Sequence, residues 1–220
     1  MRFRRKGNDA SAEGGADQGA DQGRDHAAEV AEAAARALAD GPLDADDIPH
    51  DHVERVDLGS LLIAPEQGRE LRLQVDEASG TVQAVIIAGA EGAVELRAFA
   101  APRGGDLWAE ARPQIAAEVA QSGGTATERQ GPWGTELVCR VGQRGGQQQL
   151  TRIIGINGPR WMLRASLLGK PAVDPDAATE WEDSIRRVAV QRGSHALPVG
   201  EPLPVTMPPQ ARRVEPPTGG

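Results

Sequence analysis

Apolar and polar residues alternate along the middle of this chain at the spacing of strands, interrupted twice by the spacing of a helix. Leu58 to Ala64 is an extended apolar run that Pro65 ends. Arg69 to Val75 then places Leu71, Leu73 and Val75 on one side and Arg72 and Gln74 on the other, as a half-buried strand does. Thr81 to Ala88 is more uniformly apolar, and Gly89 to Gly92 turns it into Ala93 to Ala100, where Val94, Leu96 and Ala98 oppose Glu95 and Arg97. From Leu107 to Gln121 the period changes to that of a helix, with Leu107, Ala111, Ile115 and Val119 on one face. Asp106 is its cap, Pro113 interrupts its early turns, and Gly123-Gly124 ends it.

The pattern then starts again. Thr125 to Arg129 and Thr135 to Val141 flank the turn Gly131-Pro132-Trp133-Gly134, and Gln147 to Ile156 and Arg160 to Leu168 flank Asn157-Gly158. Arg160 to Leu168 carries apolar residues on both sides, the mark of a central strand. A last helix is expected from Asp174 or Asp176 through about Arg192, with Trp181, Ile185, Val188 and Ala189 facing inward. Val85 to Pro102 and Arg152 to Lys170 align at an offset of about 67 residues, which sets Ile86-Ile87 against Ile153-Ile154 and Leu96-Arg97 against Leu163-Arg164. Each stretch is two strands followed by a helix with an early tryptophan, Trp108 or Trp181. The fold class is therefore α+β: an antiparallel sheet made of two hairpin-plus-helix halves, with both helices packed on one face.

Composition limits this unit to residues 57–200. Residues 1–26 are mostly Gly, Asp, Gln, Ala and Arg and read as a disordered leader; 27–40 form a weak alanine-rich helix; 41–56 are an acidic linker; 201–220 are a disordered, proline-rich tail. The net charge is -8, and residues 1–56 hold 7 basic against 13 acidic side chains, so phosphate-backbone binding is disfavoured as the main activity. Met1-Arg2-Phe3-Arg4-Arg5-Lys6 is basic, but no apolar stretch follows it and a signal peptide is not expected. No apolar run approaches the roughly 20 residues of a membrane span. With one cysteine the chain has no internal disulfide, and the expected compartment is the cytoplasm.

Candidate chemistry is sparse. Cys139 shares a strand face with Leu137 and Val141 and reads as a core thiol. His50 and His52 lie beside Asp51 and Glu54 without further ligands, and His26 and His195 stand alone, so neither a metal nor a cofactor is expected. Gly142 to Gly146 lacks the Lys-Ser/Thr of a phosphate loop and joins two strands. Arg72, Arg97, Arg152 and Arg164 occupy polar phases of four strands and can gather on an open sheet face; with the turn indole of Trp133 they form the candidate binding surface. No tyrosine and only two phenylalanines are present, so that face has no aromatic platform for single-stranded nucleic acid.

Asp57-Leu58-Gly59-Ser60, the Gln83 to Pro102 strand pair, Trp133-Gly134 with Glu136-Leu137, Gly158-Pro159-Arg160-Trp161-Leu163-Arg164 and Pro198 to Pro204 carry a resemblance. Over Pro49 to Gly200 the chain resembles the actinobacterial family catalogued as domain of unknown function 3710. The resemblance implies a cytosolic bacterial protein and supplies no catalytic residues. In outline the sheet with Trp161 before a final helix is similar to the Mog1/PsbP-type sandwich, although shape alone is a weak guide to activity. The expected function is a non-catalytic protein-interaction or adaptor domain with a protein partner. The alternatives are a nucleic-acid-associated protein using the arginine-bearing face, and an enzyme of unknown class whose active site would be a cleft of convergent polar groups.

Overall fold

A computed structural model describes residues 41–48, 52–142 and 148–209 together with positions 32, 39 and 211. The leader, nearly all of the alanine-rich segment, His26, His50, Asp51 and residues 143–147 lie outside the described residues. The strands are β1 (Leu43–Asp44), β2 (Val56–Asp57), β3 (Leu61–Ile63), β4 (Glu70–Val75), β5 (Val82–Ala88), β6 (Gly92–Ala100), β7 (Thr125–Gly131), β8 (Gly134–Gly142), β9 (Gln148–Asn157), β10 (Trp161–Gly169) and β11 (Ala189–Val190). The helices are α1 (Leu107–Gln121), α2 (Lys170–Val173) and α3 (Pro175–Arg186). Seven strands form an antiparallel sheet in the order β4-β5-β6-β10-β9-β8-β7. Four short ones form a second sheet in the order β1-β11-β3-β2, in which only β1 and β11 run parallel.

Two meanders, β4 to β6 and β7 to β10, meet where β6 pairs with β10. Arg97 lies directly opposite Arg164 in that pairing, and Leu96 and Ala98 lie opposite Ala165 and Leu163. On β6 and β10, residues equivalent under the sequence repeat are thus related by a local two-fold axis through the Arg97–Arg164 pair. On β5 and β9 the repeat slips by four residues, because Val85 lies opposite Leu96 whereas Ile156, not Arg152, lies opposite Leu163.

One face of the large sheet carries Val85, Ile87, Val94, Leu96, Ala98, Ala100, Ile154, Ile156, Trp161, Leu163, Ala165 and Leu167, all buried. The second sheet and α3 cover it with Leu58, Leu61, Ile63, Trp181, Ile185, Val188 and Val190. Two indoles tie the start of the domain to this core: Trp133 Nε1 donates to the Gly41 carbonyl at 2.8 Å, and Trp161 Nε1 donates to Asp44 Oδ2 at 2.8 Å. Trp161 is completely buried, so its one polar atom needs that acceptor. Gly158 makes room for it, because a Cβ there would stand 2.2 Å from the indole. Asn157 stays in β9 opposite Met162, so the turn lies further along than Asn157-Gly158: Gly158 N–H donates to the Trp161 carbonyl at 2.7 Å and Pro159 and Arg160 form the tip.

The opposite face has its own core beneath α1: Leu107, Trp108, Leu137, Cys139 and Met162, with Ala111, Ile115, Val119 and Ile153 packed against them. Asp106 caps α1, accepting from Ala109 N–H at 2.9 Å and from Asn157 Nδ2 at 2.7 Å. The Trp108 indole lies flat on Gly155, where a Cβ would come within 2.0 Å of the ring, and its Nε1 donates to the Thr135 carbonyl at 2.6 Å. Pro113 sits inside the helix without breaking it.

The expectation that both helices pack on one face is therefore corrected: α1 and α3 lie on opposite faces of the large sheet. β8, β9 and β10 present apolar side chains in both phases, Leu137 and Cys139 on one side of β8 and Met162 against Leu163 on β10, and both sides have to be covered. Gly169, at φ +78°, turns the chain across the sheet edge after β10. The last helix is also shorter than expected. It ends at Arg186, and Val188 to Val190 leave it to complete the second sheet. Leu43 and Asp44, read from sequence as linker, form β1 beside Ala189 and Val190. Residues read as tail are paired as well: Leu203 N–H donates to Ala98 O and Thr206 N–H to Leu58 O, both at 2.8 Å, stitching the two sheets together.

Trp161→Ala is expected to cost about 3–5 kcal/mol in urea unfolding, through the cavity left in the main core. A chain beginning at Gly41 should unfold at the temperature of the full chain. One beginning at Pro49 loses both indole acceptors and should be less stable by about 2–3 kcal/mol, at roughly 1 kcal/mol per hydrogen bond plus newly exposed apolar surface.

Candidate binding site

The four strand arginines do not gather. Arg72, Arg97 and Arg164 share the α1 face of the large sheet, whereas Arg152 pairs in register with Leu167 and Val138 and points into the main core. Alternation explains the difference: Arg152 is in phase with Ile154 and Ile156, both buried. Trp133 is also in the core, 9% exposed, with the Arg186 guanidinium 5.1 Å over its ring. Arg72 lies on the edge strand β4 and bonds Glu70 at 2.7 Å, so it is engaged in an ordinary surface pair.

Arg152 is 3% exposed and paired with two carboxylates. Its Nε donates to Glu136 Oε1 at 2.7 Å and its Nη1 meets Glu182 Oε1 at 2.6 Å, which ties β9 to β8 and to α3. Arg129 from β7 closes on the same Glu136 oxygen. Burial alone would lower the Arg152 pKa, but the hydrogen bonds and charges of Glu136 and Glu182 outweigh it and hold the group above its ordinary value. A second network, Arg69 and Ser184 on Glu66 with Arg187 at 3.0 Å, fixes the loop before β4 to α3, and Arg69 covers the Trp181 ring at 4.1 Å.

Arg164 is different. Its guanidinium lies 5.2 Å from the centre of the Phe99 ring, and no described residue accepts a hydrogen bond from it. Burial, and then the charge of Arg97, depress its pKa; Glu95 and Glu118 act in the opposite sense without restoring it. Arg97 lies 3.5 Å from Glu95 through a buried Nε that makes no hydrogen bond. Beside this pair is a cleft of about 360 Å³ floored by Phe99, Met162 and Arg164, walled by Leu107, Ala111, Ile115 and Glu118 of α1, and closed by the turn at Val199 and Gly200. Its lining is about equally polar and apolar, with Glu110, Gln114 and Glu118 beside the apolar residues and Arg164 as its one cation.

Other candidate groups fall elsewhere. Cys139 packs beneath α1, and burial pushes its thiol pKa up, away from the thiolate that nucleophilic chemistry uses. Among the described residues no group of three or more His, Cys, Asp or Glu is placed to hold a metal ion, and no helix is long and apolar enough to cross a membrane. Sequence reasoning missed Glu136, Glu182 and the α1 wall of the cleft. The phase of Glu136, opposite to Leu137 on a strand buried on both sides, was the available signal for the first.

The chain belongs to the family described as protein of unknown function (DUF3710), whose model matches residues 41–214. That range takes in β1 and the stitched segment beyond Gly200, both wider than the limits drawn from composition. No curated protein matches the chain.

Arg152→Ala would strand Glu136 and Glu182 without their shared cation and is expected to destabilise the fold by about 3–5 kcal/mol in urea unfolding. Arg152→Lys should recover only part of that loss, because one ammonium cannot reproduce the fork between the two carboxylates.

Proposed function

We propose that this chain is a non-catalytic binding module of the bacterial cytosol, and that its partner is a protein segment lying in the cleft between α1 and the Val199 turn. Arg164, half-buried beside Phe99 and Met162 at the floor of this mixed polar and apolar cleft, carries this reading. The other core-facing charges are matched within the fold, Arg152 by Glu136 and Glu182 and Arg69 by Glu66, so they serve the structure. At the cleft the chain offers donors and apolar surface together, which suits a peptide. A nucleic-acid backbone fits less well, since Glu110 and Glu118 line the same cleft and a run of phosphates would meet them.

Affinity capture with Val199→Arg and Ile115→Arg, beside a control Val173→Arg at an exposed position outside the cleft, tests the assignment. A protein held by the unaltered chain and by the control should be lost by at least about tenfold with the cleft variants, the size expected for a central contact. Equal retention by all of them would overturn the reading. Val199 is 56% exposed, so its substitution does not threaten folding.

A further inference from the structure

We propose that two copies of this chain pair through β4, antiparallel and centred on Leu71, so that Glu70 of each copy meets Arg72 of the other and the two large sheets become one. This interface is separate from the cleft and does not depend on it. β4 ends the order of the large sheet, and among the described residues no strand pairs with its outer side. Every open sheet has such edges, so the edge makes pairing available without selecting it. The selection lies in the side chains. Leu71 is on the main-core face, opposite Ile87 of β5, yet the second sheet and α3 leave it 37% exposed. Glu70 and Arg72 are on the other face, largely exposed and bonded to each other at 2.7 Å. α1 covers β7 to β9 on that face, so no helix stands over them.

Symmetry limits the registers. A two-fold axis perpendicular to the sheet sets one residue of the strand opposite itself and pairs the residues equally spaced on either side. Centring on Glu70 or on Arg72 places like charges face to face, which opposes pairing. Centring on Leu73 brings Glu70 against Asp76. Centres beyond Leu73 run into the bulge between Gln74 and Val75 and the turn in which Asp76 accepts from Ser79. Centring on Leu71 matches Glu70 with Arg72 twice, making a square of four alternating charges on one face. On the other face Leu71 meets Leu71, and Leu73 meets Arg69, whose guanidinium is held over Trp181. Charges on an edge commonly guard it. Here two opposite charges, two residues apart, oppose the neighbouring registers and favour this one. β7, the other edge, is the contrast: Glu128 turns to Arg112 of α1 at 3.5 Å and Arg129 to Glu136 of β8, so its charges are committed within the fold.

Sedimentation equilibrium of the full chain from about 1 to 300 µM should show monomer and dimer exchanging with a dissociation constant on the order of 10 µM, as suits a short ladder at the small end of interface sizes. Arg72→Glu and Glu70→Arg should each weaken the dimer by about tenfold or more, because each sets like charges opposite one another. Both positions are exposed, so the thermal unfolding of either variant at low concentration should stay close to that of the unaltered chain. Mixing the two variants should restore association as a heterodimer, since an all-acidic pair then meets an all-basic one. Glu70→Arg with Arg72→Glu on one chain should dimerise as the unaltered chain does. Amide hydrogen exchange should slow over Glu70 to Leu73 as concentration rises. A chain that stays monomeric throughout, a dimer indifferent to the single variants, mixed variants that fail to associate, or slowed exchange that spares β4 would overturn the proposal.

Discussion

The pairing of β6 with β10 is the contact on which the rest of the structure depends. It joins two meanders into one seven-stranded sheet through nine opposed residue pairs, Trp161 with Ala100 at one end and Gly169 with Gly92 at the other. The joined strands become central; β10 is buried on both sides over much of its length, whereas β6 is buried on the main-core side and half-exposed on the other. Leu163, Ala165 and Leu167 face the second sheet and α3, while Met162 faces α1. A strand in that position cannot leave polar atoms unmatched without a cost of roughly 1–3 kcal/mol each. The indole N–H groups of Trp108, Trp133 and Trp161 all find acceptors, at 2.6, 2.8 and 2.8 Å, and two of these acceptors belong to the segment that opens the domain. Satisfying the core is thereby what brings β1 into the fold.

The same requirement separates structural charge from free charge. Glu136 and Arg152 are 1% and 3% exposed, a placement made tolerable by Arg152 and Arg129 on Glu136 Oε1 and by Glu182 on a second arm of Arg152, with Glu136 Oε2 left unbonded. Arg164 meets no such arrangement. Its neighbours on the sheet are another arginine and a glycine, Arg97 on β6 and Gly155 on β9, and Gly155 is given over to the Trp108 ring. The position beside Arg164 that could have carried a carboxylate is thus committed to packing α1.

Alternation made the strands legible, because a period of two survives in Leu71 to Val75 and in Val94 to Ala100 whatever covers them. The Asp106 cap, the hairpin that follows Asn157 and the match of β6 with β10 about Arg97 and Arg164 were legible too, each being local or a property of paired segments. The side of the sheet that each helix takes was not. Trp108 and Trp181 each lie in the helix that follows a repeated strand, and only the left-handed Gly169 and the two-sided burial of β8 to β10 send them to opposite faces. Arg152 was misplaced because its phase reads as polar until Ile154 and Ile156 are known to be the core face. The short strands β1 and β11 have two residues each, too few for any period, and became visible only through their pairing. The cleft combines α1, two strands and the Val199 turn, so no single stretch of sequence could announce it.

That departure from the repeat is what creates the cleft. α1 follows β6 and crosses onto β7, β8 and β9, the strands of the other half. By the two-fold axis, the helix following β10 would cross the same face onto β4 and β5 and close it. α3 instead covers the opposite face, so Arg72 and Gln74 on β4 remain exposed and Ile86 on β5 only half-buried. The border between the covered and open halves falls at β6 and β10, where the axis passes through Arg97 and Arg164. The cation pair lies there because the strands are repeated, and it remains open because the helices are not.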